Sequence, residues 1–534
     1  GFTATKDNEA SSIAQTAVAS AEEVLKRTET ILAQTKTAVE QVAVTEARAY
    51  VAPTDDDVIK KQQPTYERHA NIAQPTAKEG TITGYSNMDE QKIGNKNQTV
   101  SNKTKIFYGL NQQQYAKKLH ELKSSIDTTG LSVGVIDSGI YPKNPDLDGA
   151  NLSGTNLVAC FVSNNCANYQ TYEQYKPTDG HGSNMAAIIA GNNGMTNAII
   201  HAYTDGDKSN EGDEFTAMLK LNETQGVQIF NNSWGYVPDA NESDNQWLNT
   251  AKAHTPAGDT KNSEHPQVQA IHELIINKDA LLIHATGNEG KDTTYGERLA
   301  PELNPDFKKG FLAVSSPRED FYQANHCGDA AEWCLSAPST SISHDNTGEL
   351  ISYQGTSPAT ARVTGTALLV KGAYPWMKNE NLVQTLLSTA QDFDDIKERS
   401  PTYKGLKQVD VKPNDIDHYT YEDKYYVEAD LSWHERRTIK NIGGKNITHE
   451  SGWGLLDTIA ATQGYGGFYW DNVVLDVTGK DTVSVFSNNI KGEHGFTKAG
   501  DGKLVLTGDN RYQGETIIQN GILEINGNND SSAI

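Results

Sequence analysis

The alternation of apolar and polar positions divides the chain into four textures. Over the first fifty residues Ala14, Val18, Ala21, Leu25, Thr28, Leu32, Thr35, Val39 and Val42 recur at alternating steps of four and three, the heptad spacing of a helix with one apolar seam. Two Thr and two Ala weaken that seam, so the pattern predicts a surface-docked or marginal helix rather than a stable coiled coil. From Pro53 to about Lys105 the chain is Lys, Gln, Asn, Thr and Pro with few large apolar side chains. Such a segment cannot bury enough surface to offset the entropy of ordering, and residues 1–105 read as a helical and polar N-terminal extension or pro-region.

Between residues 106 and 465 short apolar runs ending in Gly, Asn or Ser alternate with helical patterns. Leu131 to Ile136, Val227 to Phe230, Ala280 to Ala285, Phe311 to Val314 and Ile351 to Tyr353 predict buried strands. Ser183 to Ala190, Ala359 to Gly372 and Asn381 to Ala390 predict the helices between them. Strands alternating with helices define an α/β domain, a parallel sheet with helices on both faces. Such sheets place ligands beyond the carboxyl ends of their strands. From Gly466 to residue 534 the texture changes again, to strands punctuated by Gly and Asn, as in Lys503-Leu-Val-Leu-Thr-Gly-Asp-Asn and Thr516-Ile-Ile-Gln-Asn-Gly-Ile-Leu-Glu-Ile. These read as the first rungs of a β-helical stalk, a fold that needs several stacked rungs for stability. The pattern stops in mid-course at Ile534, which predicts that the chain is a piece of a longer protein.

Composition narrows the function. The 534 residues include 46 Lys and Arg against 69 Asp and Glu, a formal net charge of −23, opposite in sign to a nucleic-acid or anionic-membrane binder. No run reaches the about 18 uninterrupted apolar residues of a spanning helix, and Gly-Phe-Thr-Ala-Thr-Lys at the start is no signal peptide. The expectation is a soluble chain or a mature piece of a targeted one. Four cysteines form two close pairs, Cys160 with Cys166 and Cys327 with Cys334, neither in the Cys-x-x-Cys spacing of redox or zinc sites. They read as two local disulfides made outside the cytoplasm; the alternative is four buried thiols behaving as small apolar side chains.

The candidate chemistry sits where the sheet topology predicts it. Asp137 follows Val133-Gly-Val-Ile, His181 opens a helix within Thr178-Asp-Gly-His-Gly-Ser, and Ser357 lies between a strand and a helix in Tyr353-Gln-Gly-Thr-Ser-Pro-Ala. Each residue alone has an ordinary explanation as a turn, structural or helix-capping residue. Three strand-to-helix junctions carrying an orienter, a base and a nucleophile together point to nucleophilic catalysis. Asn288, in Ala285-Thr-Gly-Asn-Glu-Gly, adds at a fourth strand end a neutral amide donor of the kind that stabilises an oxyanion.

Around these residues the sequence resembles the subtilisin-like serine proteases. Val135-Ile-Asp-Ser-Gly, His181-Gly-Ser, Gly287-Asn288 and Gly355-Thr-Ser occur in the family's order of Asp, His, Asn and Ser boxes. Asn232-Ser-Trp-Gly235 is similar to the strand that walls the substrate cleft, and Gly452-Trp-Gly-Leu to the closing segment. The resemblance spans roughly residues 106–465. It implies a subtilisin-like fold, catalysis by Asp137, His181 and Ser357, an oxyanion site at Asn288, and substrate binding along Ser233, Trp234 and Gly235. No cofactor is implied for the chemistry; structural calcium is common in the family, yet no acidic run here has calcium-ligand spacing. Two departures stand out: Ser183 replaces the usual Thr, and Ala361 replaces the usual Pro four residues after the nucleophile, with Pro358 directly behind Ser357. Residues 391–451 read as an inserted, solvated surface lobe.

A second resemblance lies in Gly500-Asp-Gly-Lys-Leu-Val-Leu-Thr-Gly-Asp-Asn and its continuation, similar to the strand repeat of autotransporter passenger regions. It implies an extracellular or cell-surface passenger whose C-terminal outer-membrane barrel is absent here. The combined expectation is a secreted serine endopeptidase acting on protein substrates, whether its own or neighbouring surface proteins or host proteins, with no nucleic-acid partner. The alternative is a non-enzymatic, adhesin-like passenger that uses the fold for display.

Overall fold

The computed structural model describes residues 110–152, 180–204, 213–235, 245–317, 323–348, 350–392 and 438–529, with short strand fragments at 91–93, 96–98, 106–107, 156–158, 169–170, 406–408 and 426–428. The heptad segment and the pair Cys160 and Cys166 lie outside the described residues.

Eight strands form the central sheet: β1 (Ser132–Asp137), β2 (Asn156–Val158), β3 (Tyr169–Gln170), β4 (Ile199–Thr204), β5 (Ile229–Asn232), β6 (Leu281–Ala285), β7 (Phe311–Ser315) and β8 (Cys334–Ser336). Their order is β8-β7-β6-β5-β1-β4-β2-β3. Every neighbouring pair is parallel except the terminal β2 and β3. The central strands are apolar on both faces, as a sheet covered by helices requires: Val133, Val135, Ile136, Leu281, Leu282 and Ile283 are fully buried. Gly134 is a glycine because a Cβ there would stand 2.4 Å from the Phe230 ring on β5.

The flanking helices include α1 (Gln112–Ser125), α2 (His181–Ala190), α3 (Asp213–Gln225), α4 (Gln246–Ala253), α5 (Pro266–His272), α6 (Thr356–Ala373) and α7 (Asn379–Thr389). Helix α6 is buried on every side from Thr356 to Val370 although it carries several threonines. Two of these satisfy themselves: the hydroxyls of Thr360 and Thr366 donate to the carbonyls of Thr356 and Arg362, at 2.7 and 2.9 Å.

One expected sheet strand belongs elsewhere. The run Ile351 to Tyr353 lies in β10 (Leu350–Gln354), which pairs antiparallel with β9 (Thr340–His344) as a separate two-stranded hairpin. Ser357 therefore follows a hairpin, not a strand of the main sheet. The C-terminal end of the expected surface lobe is also an integrated piece: β11 (Thr438–Ile442) and β12 (Lys445–Thr448) form a hairpin whose Ile447 is fully buried. Lys445 there donates to the Ala390 carbonyl at 3.1 Å and pairs with Asp392 at 2.7 Å.

The tail forms two three-stranded parallel sheets, β13 (Val473–Asp476) with β15 (Phe496–Ala499) and β17 (Thr516–Ile518), and β14 (Val483–Phe486) with β16 (Lys503–Leu506) and β18 (Ile522–Ile525). This is the start of a β-helix. Phe468, Phe496 and Tyr512 pack inside it, and Lys498, also buried, donates to the carbonyls of Ala499, Gly500 and Asn520 at 2.7, 2.9 and 3.1 Å.

Candidate active site

Asp137 ends β1 with its side chain 3% exposed. Its Oδ1 accepts from His181 Nδ1 and from the Ser138 amide, both at 2.7 Å, while Oδ2 is buried with no hydrogen-bond partner among the described residues. His181 is the first residue of α2 and keeps 32% of its side chain exposed. The next two residues explain its placement. A Cβ on Gly182 would stand 2.3 Å from the Gly139 carbonyl, so the helix start and the loop after β1 are in backbone contact. Gly182 N–H donates to Ser138 Oγ at 3.1 Å, and the Tyr141 amide donates to Ser183 Oγ at 2.9 Å. Ser183 thus supplies the acceptor with its hydroxyl, and the methyl group of a threonine is not needed for it.

Ser357 is the second residue of α6 and is 8% exposed. Its Oγ donates to the Ser233 carbonyl at 3.0 Å, and Ser233 Oγ donates back to the Ser357 carbonyl at 3.0 Å. Behind this pair runs a relay: Thr364 Oγ1 donates to Asn231 Oδ1 at 3.0 Å, and Asn231 Nδ2 donates to Ser233 Oγ at 2.9 Å. Asn231 and Thr364 were not expected from the sequence, where buried polar residues in an apolar strand and helix carry no distinguishing signal. The expected cleft-wall residue Ser233 turns its hydroxyl onto the nucleophile candidate. Trp234 packs edge-on against Phe215 and His284, at ring-centroid distances of 6.0 and 5.6 Å. Gly235 lies against the buried Arg298 guanidinium, which a Cβ would strike.

Asn288 lies in the loop after β6. Its Oδ1 accepts from both the amide and the hydroxyl of Thr356 at 2.9 Å, which fixes the amide's orientation and commits Nδ2 to be the remaining donor. Gly355, at φ 150°, caps α6; a Cβ on it would sit 3.2 Å from both Asn288 side-chain heteroatoms. Both the backbone angle and the neighbouring amide therefore require glycine immediately before Thr356. Pro358 occupies the first turn of α6, where an N–H would have no intrahelical partner, and Ala361 is fully buried one turn further on.

Beside the site, His284 is enclosed on β6, stacked on Phe311 with ring centroids 4.8 Å apart. Burial, reinforced by the Arg298 charge, holds its imidazole well below the ordinary pKa of 6.5. The segment at Gly452 closes the domain: Gly452 has φ 58° and faces the Cys334 carbonyl, and Trp453 donates Nε1–H to the Glu332 carbonyl at 2.8 Å. Cys327 and Cys334 are joined as a disulfide. No helix among the described residues is long and apolar enough to cross a membrane.

The Subtilase family model matches residues 128–454, and the Passenger-associated-transport-repeat model matches residues 496–525. The chain is 28% identical over 499 residues to the Neisserial autotransporter lipoprotein NalP of Neisseria meningitidis serogroup B, covering 78% of this chain and 41% of that protein. It is 23% identical over 459 residues to an extracellular serine protease of Serratia marcescens, covering 74% and 41%. The chain thus spans about two fifths of the length of these curated relatives. A solved cold-adapted subtilisin-like serine proteinase aligns with a TM-score of 0.35 at 20% identity, covering 50% of this chain and 84% of the other. With a family model matching more than half of its length, the chain belongs to the Subtilase family.

Proposed function

We propose that this protein is a serine endopeptidase, the secreted or surface-displayed passenger of an autotransporter. The observation that carries the reading is the 2.7 Å contact between His181 Nδ1 and Asp137 Oδ1, made at the start of a helix that packs against the helix bearing Ser357. With Nδ1–H held by the carboxylate, Nε2 is the basic nitrogen of the imidazole. Ser357 Oγ, turned away from the Ser233 carbonyl to which it donates at rest, attacks the peptide carbonyl carbon and passes its proton to His181 Nε2, and Asp137 stabilises the resulting imidazolium. The imidazolium returns the proton to the leaving amine, and water repeats the sequence on the acyl-enzyme. The oxyanion is received by Asn288 Nδ2 and the Ser357 N–H; removing one such donor costs ~10²–10³ in kcat. The backbone through Ser233, Trp234 and Gly235 lines the substrate.

The chemistry needs no cofactor. The structural calcium that the family resemblance implies finds no fit in the one group of three metal-ligating side chains among the described residues, which contains two imidazoles. Substrates are protein chains at or beyond the cell surface. Residues 1–105 serve as a pro-region or spacer, 106–465 as the catalytic domain and 466–534 as the start of the stalk leading toward an outer-membrane barrel. The test is covalent labelling with a fluorophosphonate, which requires an activated serine and separates a protease from a display platform. Parent protein is labelled at Ser357; Ser357→Ala folds, is not labelled, and loses roughly 10⁵–10⁶ of kcat/KM on casein. Casein digestion by Ser357→Ala near the parent rate would sink the assignment.

A further inference from the structure

Away from the reacting groups, three metal-ligating side chains from three separate segments converge. Asp292 lies in the loop four residues past Asn288, His326 directly precedes Cys327, and His449 directly follows β12. Their ligand atoms all lie within 4.8 Å of one another. His326 Nδ1 is 3.0 Å from Asp292 Oδ1, and His449 Nε2 is 3.5 Å from Asp292 Oδ2. Two ligand atoms on a tetrahedral ion with bonds of ~2.0–2.1 Å stand about 3.4 Å apart; the contacts to Asp292, one at each carboxylate oxygen, lie near that spacing, and the three ligand atoms, within 4.8 Å, draw together onto an ion.

The surroundings hold the ligands in place without help from an ion. The His326 amide donates to the Lys291 carbonyl at 3.0 Å, and the Gly328 amide to the His449 carbonyl at 2.8 Å. The Cys327 amide donates to the Glu450 carbonyl at 3.2 Å, and the disulfide to Cys334 pins the same segment. Asn325 Oδ1 accepts from the amides of Glu289 and Lys291 at 3.2 and 2.8 Å, bracing the loop that carries Asp292. The imidazoles meet edge-on, with centroids 5.9 Å apart, and their side chains are 12% and 14% exposed beneath an Asp292 that is 82% exposed. Two shielded imidazoles and an exposed carboxylate leave the Asp292 side open to solvent, for a water ligand and for entry of the ion. His449 Nε2 also donates to the Asp292 carbonyl at 2.6 Å; to ligate an ion it gives up that bond, its proton moving to Nδ1 or to solvent.

We propose that Asp292, His326 and His449 form a divalent transition-metal site, suited to Zn²⁺, which ties the Asn288 loop to the closing segment around Gly452. Two imidazoles and one carboxylate match the ligand preference of zinc, whereas calcium and magnesium require oxygen donors throughout. The ion bridges elements far apart in sequence, so binding stabilises the folded chain in proportion to free metal. It plays no part in peptide-bond cleavage, and the site stands whether or not Ser357 is the nucleophile.

The test uses the full chain carrying Ser357→Ala, which removes self-digestion, titrated with Zn²⁺ by calorimetry and equilibrium dialysis. Parent takes up one equivalent, and its melting temperature rises with free Zn²⁺. His326→Asn and His449→Gln each weaken binding by ~100-fold or more, and Asp292→Asn by ~10-fold, with their metal-free melting temperatures close to the parent's. Co²⁺ provides a measurement on unmutated ligands: visible d–d absorption without a thiolate charge-transfer band is expected from nitrogen and oxygen ligation. Absence of saturable Zn²⁺ binding, undiminished affinity in the histidine variants, or a thiolate band overturns the proposal.

Discussion

At the scale of single residues, the nucleophile candidate is held by a line of neutral polar side chains. Thr364, Asn231 and Ser233 pass hydrogen bonds from the interior of α6 through β5 to the Ser357 carbonyl. Asn231→Ala removes the amide that donates to the buried Ser233 hydroxyl, while Thr364 can turn to the Thr360 carbonyl, at a cost of about 1–3 kcal/mol. It also frees Ser233 to swing, so kcat is expected to fall about tenfold or more while KM changes little. Paired kinetics and urea melts check this, and an unchanged kcat beside a lowered midpoint would reduce Asn231 to a purely structural residue. His284 predicts a pH effect on stability. Because burial keeps it neutral in the folded state, the unfolded chain alone takes up a proton as pH falls through 6.5. Stability contributed by neutral His284 is complete above that pH and is lost progressively below it. His284→Phe, which retains the stacking on Phe311, is expected to show a smaller drop in melting temperature between pH 7 and pH 5 than the parent. Equal drops would assign the acid sensitivity to other groups.

At the scale of elements, α6 concentrates the constraints. Its first turn combines a glycine cap, Pro358 without an N–H, and Thr356 bonded to Asn288. The resembled family tolerates a ring at the place of Ala361, but here it would be the second ring in one helix start, three residues after Pro358, and both constrain the turn whose Ser357 carbonyl accepts from Ser233. Ala361→Pro is therefore expected to lower kcat/KM by ~10²-fold through misplacement of about 1 Å; equal activity would mean that α6 absorbs a second proline without moving Ser357. The elements themselves were largely legible, because strands such as Phe311–Ser315 open on continuous apolar runs and end within a residue or two of the expected limits. What the pattern hid has physical causes. The central strand β4 offers only Ala198, Ile199 and Ile200 before the buried His201, a shorter apolar run than the four residues before His284 in β6. The partner of β10 was invisible because an apolar run declares burial but not its neighbour. The boxes around Asp137, His181, Asn288 and Ser357 could be read because glycines and small hydroxyl residues occupy positions that backbone contact makes exclusive.

At the scale of the molecule, the α/β sheet domain and the stacked strands of the tail share a packed boundary. Tyr374, just past α6, donates or shares its hydroxyl with the carbonyls of Thr462 and Val485 at 3.1 and 2.9 Å. Trp376 Nε1 donates to Ser484 Oγ at 2.7 Å, and Asn381 Nδ2 to the Val474 carbonyl at 3.0 Å. Tyr374→Phe removes one buried hydroxyl from this boundary and is expected to cost about 1–2 kcal/mol, read as a lower urea midpoint at unchanged slope, with kcat at the parent value. A broadened, two-step melt would instead mean that the boundary couples two units that unfold separately in its absence.

The length of α6 has a consequence for separation. The 18-residue helix is a rod about 27 Å long, with Ser357 near its first residue and the tyrosine that grips the rungs just beyond its last. Cleft and stack are thereby set at opposite ends of one stiff strut. Ser357 and the rungs that Tyr374 grips thus stand about one helix length apart, so a change in the stack reaches the serine only along the helix axis.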